Sequence, residues 1–173
     1  MNGKNSFLQV RDLRVEYVTK AETVYAVNGV SFNLNKGKVL GLVGETGAGK
    51  TTIARTILRV LQEPPAELKG GQVIMDGCNL LDLSEQEMCR VRGHKITMIF
   101  QDPMTSLNPV MTVGSQIAEV ISLHNDIPRH EVHKLAEGML ETVGIPAERY
   151  NEYPHQFSGG MKQRVVIAIA LAC

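Results

Sequence analysis

Gly44-Glu45-Thr46-Gly47-Ala48-Gly49-Lys50-Thr51 stands between two stretches of opposite character. Before it, Lys38-Val39-Leu40-Gly41-Leu42-Val43 is a short apolar run that reads as a buried strand. After it, Thr51 to Leu61 carries an apolar stripe at helical spacing. Strand, glycine-rich turn and helix, in that order, are the setting in which G-x-x-x-x-G-K-[ST] forms a phosphate-binding P-loop, and every fixed position matches. Gly44, Gly47 and Gly49 let the backbone turn tightly and approach a ligand without Cβ atoms in the way. Their N–H groups and the positive end of the following helix make an anion cradle. Lys50 can reach the β- and γ-phosphates of a nucleotide, and Thr51 can offer its hydroxyl to Mg²⁺. The expected phosphate-binding set is Gly44, Glu45, Thr46, Gly47, Ala48, Gly49, Lys50, Thr51 and Thr52.

Composition narrows the rest. The 173 residues are 43% hydrophobic and 21% charged, enough for a globular chain with a real core. Lys+Arg and Asp+Glu are both 18, so the net charge is zero and a general nucleic-acid or membrane-surface binder is not indicated. Cys78, Cys89 and Cys173 form no C-x-x-C pair, which argues against a zinc site or a disulfide framework and for a reducing, cytoplasmic setting. No signal-peptide apolar region follows Met1 to Ser6. The longest apolar run, Val165 to Cys173, falls well short of the ~18–20 residues of a membrane span.

In chain order, Phe7 to Tyr17 alternates loosely as a strand does, and Val24–Val27 with Val30–Leu34 reads as a bent or bulged strand pair around Asn28-Gly29. An antiparallel β layer therefore precedes the P-loop. Glu63-Pro64-Pro65 is the expected stop of the first helix. Gly70 to Gly77 reads as a strand ending in a turn, Ser84-Glu85-Gln86-Glu87 as a capping box, and Lys95 to Phe100 as a second buried strand that leads into Gln101. Residues 112–124 and 128–143 have helical periodicity, with Gly144 as a stop, and Ser158 is an N-cap for a last helix, 159–172. His130 and His133 have helical i,i+3 spacing, but no further metal ligand is fixed by the pattern, so a solvated helix face is the expected reading.

Phe157-Ser158-Gly159-Gly160-Met161-Lys162-Gln163-Arg164 resembles the signature motif of ABC-type ATPases. A serine and two glycines at a helix N-terminus make a second phosphate site by the same physics as the first. The resemblance implies an α/β, P-loop NTPase fold (RecA-like core) with an N-terminal antiparallel β layer and an inserted helical subdomain. The domains expected are a nucleotide-binding core over 1–101, a helical subdomain over 102–156, and the signature with the start of its helix over 157–173. Gln101 looks like the family's Q-loop glutamine, implied to touch Mg²⁺ or the attacking water. Tyr17 aligns with the adenine-stacking aromatic, with Tyr25 the competing position. The implied roles are catalytic for Lys50 and Gln101, Mg²⁺-binding for Thr51 and Gln101, and nucleotide-binding for Tyr17, the P-loop set, Ser158, Gly159 and Gly160.

Gln101-Asp102-Pro103-Met104-Thr105-Ser106-Leu107-Asn108-Pro109 and Tyr153-Pro154-His155-Gln156-Phe157 are similar to the oligopeptide/dipeptide/nickel importer branch. That implies an ATP-binding, ATP-hydrolysing subunit on the cytoplasmic face of the membrane. Its partners would be integral membrane permease subunits and a second ATP-binding subunit, identical or related, with ATP and Mg²⁺ as cofactors and no nucleic acid. Phe157, Met161 and Lys38 stand where Leu, Gln and Glu are usual in the family, none of them touching the phosphates. The chain stops at Cys173, where the family continues into the Walker B strand with its Mg²⁺-linked Asp and catalytic Glu. A truncated N-terminal piece, with exposed apolar surface and a tendency to self-associate, is therefore expected. The alternatives are a soluble, non-transport ABC ATPase and, for these residues alone, a nucleotide-binding module without turnover.

Overall fold

The computed structural model describes residues 6–102 and 106–173; Pro103, Met104 and Thr105 of the Q-loop stretch lie outside the described residues. The chain forms two compact units, one ending at Met88 and the other beginning at Cys89.

The first unit is built on a sheet in the order β2-β1-β3-β4, antiparallel throughout. Its strands are β1 (Ser6–Val18), β2 (Thr23–Asn35), β3 (Ala66–Met75) and β4 (Cys78–Asn79). The loose alternation of β1 has a definite cause. Leu8 and Val10 are buried at even positions, Leu13 and Val15 at odd ones. Side chains alternate faces with period two, so the apolar set stays on one face only if one residue is added between them. The register against β3 shifts between Arg11 and Arg14, where Asp12 takes φ 44°. Opposite, Gly71 has φ 103°, and a Cβ there would lie 2.5 Å from the Leu13 Cα. The bulge thus needs both a left-handed residue and a bare backbone beside it.

Helix α1 (Lys50–Ile57) buries Thr52, Ile53 and Thr56. It is shorter than the 51–61 stretch expected and ends before Glu63-Pro64-Pro65 is reached. Arg59 adopts φ 52°, Val60 N–H donates to the Arg55 carbonyl at 2.9 Å, and Arg59 N–H donates to the Thr56 carbonyl at 3.0 Å. These are the two bonds of a Schellman stop, with arginine in the position glycine usually takes. The capping box forms as expected: Ser84 N–H donates to Glu87 Oε2 at 2.8 Å, and Glu87 N–H donates to Ser84 Oγ at 3.3 Å, opening α2 (Glu85–Val91).

Two expected strands do not form. Residues 38–43 carry no strand pairing, and Val39 and Val43 are 99% and 98% exposed. Of the 95–100 run, Ile96 makes an isolated bridge to Arg92, and Ile99 and Phe100 are exposed. A buried parallel strand needs a ladder neighbour. The described strands pair only among themselves in the antiparallel sheet, so the apolar pattern finds no partner.

The second unit is helical after residue 100: α3 (Val113–His124), α4 (Arg129–Thr142) and α5 (Gly159–Leu171), with single 3₁₀ turns at Ala147–Asn151 and Pro154–Gln156. Thr112 caps α3, accepting from Ser115 N–H at 3.3 Å, and Gly144 follows α4 with φ 70°. Ile117, Ile121, Ala136, Leu140, Ile145, Phe157 and Val165 form its core. The Tyr150 ring lies directly on Gly114 of α3 and stacks on His133 of α4, with centroids 4.1 Å apart. His133 is therefore a packing residue on one side and faces Glu137 (3.5 Å) on the other, rather than a purely solvated position.

A Cβ on Gly114 would come within 2.2 Å of the Tyr150 ring, whereas a Cβ on Gly138 of α4 meets nothing within 4 Å. In urea titrations followed by circular dichroism, Gly114→Ala is expected to lose about 1–3 kcal/mol to overpacking. Gly138→Ala is expected to gain about 0.5–1 kcal/mol, the helix-interior cost of glycine.

Candidate functional site

Gly49 decides where α1 begins. It is buried, has φ 79°, and a Cβ on it would sit 2.1 Å from the Ala26 carbonyl oxygen of β2. The helix therefore starts hard against the sheet, at a residue only glycine can supply. No side chain caps α1 and its first turn carries no acidic residue. The N–H groups of Lys50, Thr51 and Thr52 have no intrahelical acceptor, so the positive end of the helix faces the loop uncompensated. Gly47, also at positive φ (85°), has open space around it.

Lys50 reaches back over its own loop. Its Nζ donates to the Gly44 carbonyl at 2.7 Å and to the Glu45 carbonyl at 2.6 Å. Ala48 N–H donates to the Glu45 carbonyl at 3.1 Å and closes the turn. The ammonium is thereby held at the mouth of the glycine loop, and Thr51 is exposed beside it. The donor set is backbone N–H groups and one ammonium, with one exposed hydroxyl beside them. That is the chemistry a polyphosphate with Mg²⁺ requires. Thr52 behaves differently from Thr51: it is buried, and its hydroxyl lies 3.3 Å from the Tyr17 hydroxyl. The contact brings Tyr17, at the end of β1, to the P-loop helix, while Tyr25 is exposed on β2.

The other expected site residues belong to the second unit. Gln101 is exposed in a bend after the Ile96 bridge, and Ser106 Oγ donates to the Asp102 carbonyl at 2.9 Å beyond it. Ser158 caps α5, accepting from Met161 N–H at 3.4 Å. Gly159 and Gly160 are exposed, with open space where a Cβ would be. This is a second helix N-terminus with bare backbone. Within each unit the structure groups Tyr17 with the P-loop, and Ser158 with the two glycines.

Three residues around these motifs escaped the sequence reading. Arg149 contacts Glu152, Gln156, Phe157 and Met161 around the signature. Arg164 Nη1 donates to the Val143 and Gly144 carbonyls at 3.2 and 2.9 Å, binding α5 to the end of α4. Buried Gln116 clamps the turn after the Q-loop stretch: its amide accepts from Asn108 N–H at 2.9 Å and donates to the Asn108 and Met111 carbonyls at 3.0 and 3.2 Å. Polar residues are the expected ones to hold loops, but which loop each one holds depends on tertiary contact.

Lys50→Ala removes the ammonium from the mouth of the glycine loop and also frees the loop carbonyls. Isothermal titration with Mg-ATP is expected to show a loss of about 1.5–3 kcal/mol, the size of a charge-assisted hydrogen bond, with the unfolding transition retained.

Comparison with known proteins gives the family and the fold. The family described as ABC transporter matches residues 27–173. The oligopeptide transport ATP-binding protein OppD of Bacillus subtilis is 50% identical over 167 residues, which are 95% of this chain and 47% of that protein. The dipeptide transport ATP-binding protein DppD of the same organism is 46% identical over 168 residues, 96% of this chain and 50% of that protein. The chain thus spans about half the length of the curated relatives it matches. Among solved structures, the dimeric bacterial ABC transporter cassette MJ0796 superposes with TM-score 0.83 at 27% identity, over 95% of this chain and 69% of that one. Its post-hydrolysis form bound to ADP and Pi gives 0.81 at 25% identity, with the same coverage of both chains. The fold is thus the α/β fold of an ABC ATPase cassette, covering part of its length, and the chain belongs to the ABC transporter family.

Proposed function

We propose that these residues are the nucleotide-binding portion of the ATP-hydrolysing, energy-coupling subunit of an importer, with peptides as the substrate class. The observation that carries the reading is the start of α1: an uncapped helix N-terminus seated on β2, with the Lys50 ammonium held over the glycine loop. The names of two relatives at about 50% identity, an oligopeptide transport ATP-binding protein and a probable peptide ABC transporter ATP-binding protein, support the substrate class. In this reading Gly44 to Thr52 cradle the phosphates, Thr51 and Gln101 hold Mg²⁺, and Tyr17 stacks on adenine. Ser158, Gly159 and Gly160 cover the nucleotide of a facing ATP-binding subunit, identical or related. The reading takes the nucleotide-binding core over 1–101, the helical subdomain over 102–156 and the signature from 157.

The chemistry asked of these residues is electrostatic. Phosphoryl transfer to water needs neutralisation of charge on the γ-phosphate and alignment of the attacking water. In this reading Lys50 and the two helix ends supply the first, and Gln101 assists the second. The subunit would dock on permease subunits at the cytoplasmic face through its helical region. No helix among the described residues is long and apolar enough to cross a membrane.

Mg-ATP at a hundred times its Kd should raise the unfolding free energy of the full-length subunit by about 2.7 kcal/mol. With its permease partners in vesicles, the same subunit should release phosphate and drive peptide uptake, both abolished by Lys50→Ala. ATP stabilisation without phosphate release would favour the binding-only module. Turnover undiminished by the absence of membrane subunits, with no uptake, would favour a soluble ATPase.

A further inference from the structure

Arg149 lies in the 3₁₀ turn Ala147–Asn151, nine residues before Ser158, and no part of the phosphate site so far described uses it. Its guanidinium is nevertheless spread across both flanks of the signature. Nε and Nη2 both donate to Glu152 Oε2, at 2.8 and 2.6 Å. Nη2 also donates to the Gln156 carbonyl at 3.2 Å, and the guanidinium carbon stands 4.4 Å from the centre of the Phe157 ring. Nη1 donates to Met161 Sδ at 3.4 Å. Gln156 and Phe157 lead into Ser158. Met161 follows Gly160 and supplies the N–H that Ser158 caps.

Gly159 and Gly160 have no side chains with which to fix their own position, and both are exposed. The backbone N–H groups of this triplet can only be aimed from outside it. A planar, five-donor guanidinium can hold a carboxylate, a carbonyl, a ring face and a thioether at once; a lysine ammonium cannot. We propose that Arg149 is a positioning residue for Ser158–Gly160, clamping the turn before the signature and the first turn of α5 so that their N–H groups present one fixed face to a phosphate. Glu152 absorbs the charge, so the guanidinium serves geometry rather than ligand binding. The proposal rests on the reading of Ser158–Gly160 as a phosphate site.

The test uses the full-length subunit assembled with its permease partners and reads kcat and KM for phosphate release, Kd for a fluorescent ATP analogue, and the melting curve. Arg149→Gln is expected to lower kcat at least tenfold while leaving Kd for the analogue within twofold, because the P-loop is untouched. Arg149→Lys should recover little of the loss. The double variant with Ser158→Ala should be no slower than Ser158→Ala alone, since both changes remove one function. Wild-type kcat in Arg149→Gln overturns the proposal, and so does a double variant whose losses multiply. If Arg149→Gln does not fold, Glu152→Gln decides: it should lower kcat with Kd unchanged, and an unaltered kcat overturns the clamp. Wild-type kcat in Ser158→Ala would instead sink the phosphate-site reading on which the proposal stands.

Discussion

The Ala26 carbonyl oxygen occupies the space that any side chain on residue 49 would need. That single close approach seats the beginning of α1 on the sheet, and the glycine loop before it depends on it. Because α1 starts there, Lys50 is the next residue and can fold back on the Gly44 and Glu45 carbonyls. Because the cap is a left-handed glycine, no side chain competes for the first N–H groups of the helix. The bulge in β1 supports the same arrangement from the other side. By adding a residue at Asp12 it returns Leu13 and Val15 to the buried face, and Tyr17 then ends the strand within reach of Thr52.

The second unit solves a similar problem with different means. Its signature helix also begins with glycines, but they contact no backbone of a neighbouring strand. The support is lateral. Tyr150 fills the space left by Gly114, Arg149 gathers the residues on both sides of Ser158, and Arg164 ties the helix to the end of α4. A helix start with bare backbone is therefore flanked by sheet contact in one unit and by side-chain contacts in the other. In both, the glycines are positioned by residues that need not meet the ligand.

What could be read from the sequence was local chemistry. The glycine loop before Lys50, the Ser84–Glu87 capping box, the Ser158 cap and the Gly144 stop all act within about four residues, and each stands in the structure where its pattern placed it. Two kinds of feature were not readable. One is pairing: Val39 to Val43 and Ile96 to Phe100 have the length and apolarity of buried strands, but a strand is defined by its neighbour. The other is reach: the bulge requires Gly71 on a distant strand, and Arg149 chooses its targets only once the turn around it exists. The early end of α1 belongs here as well. Arg59 takes the left-handed position with a side chain that gives no sign of it.

Glu152 is shared between two structures. Its backbone carbonyl accepts the N–H of Val113, the first residue of α3, at 2.8 Å, and its carboxylate holds Arg149. The bond to Val113 satisfies one of the donors that a helix leaves open at its start. A displacement of the start of α3 must therefore either break that bond or draw residue 152 along, and the guanidinium with it. The start of α3 and the turn that leads to the serine capping α5 are in this way joined through one amino acid, whose carbonyl serves one and whose carboxylate serves the other.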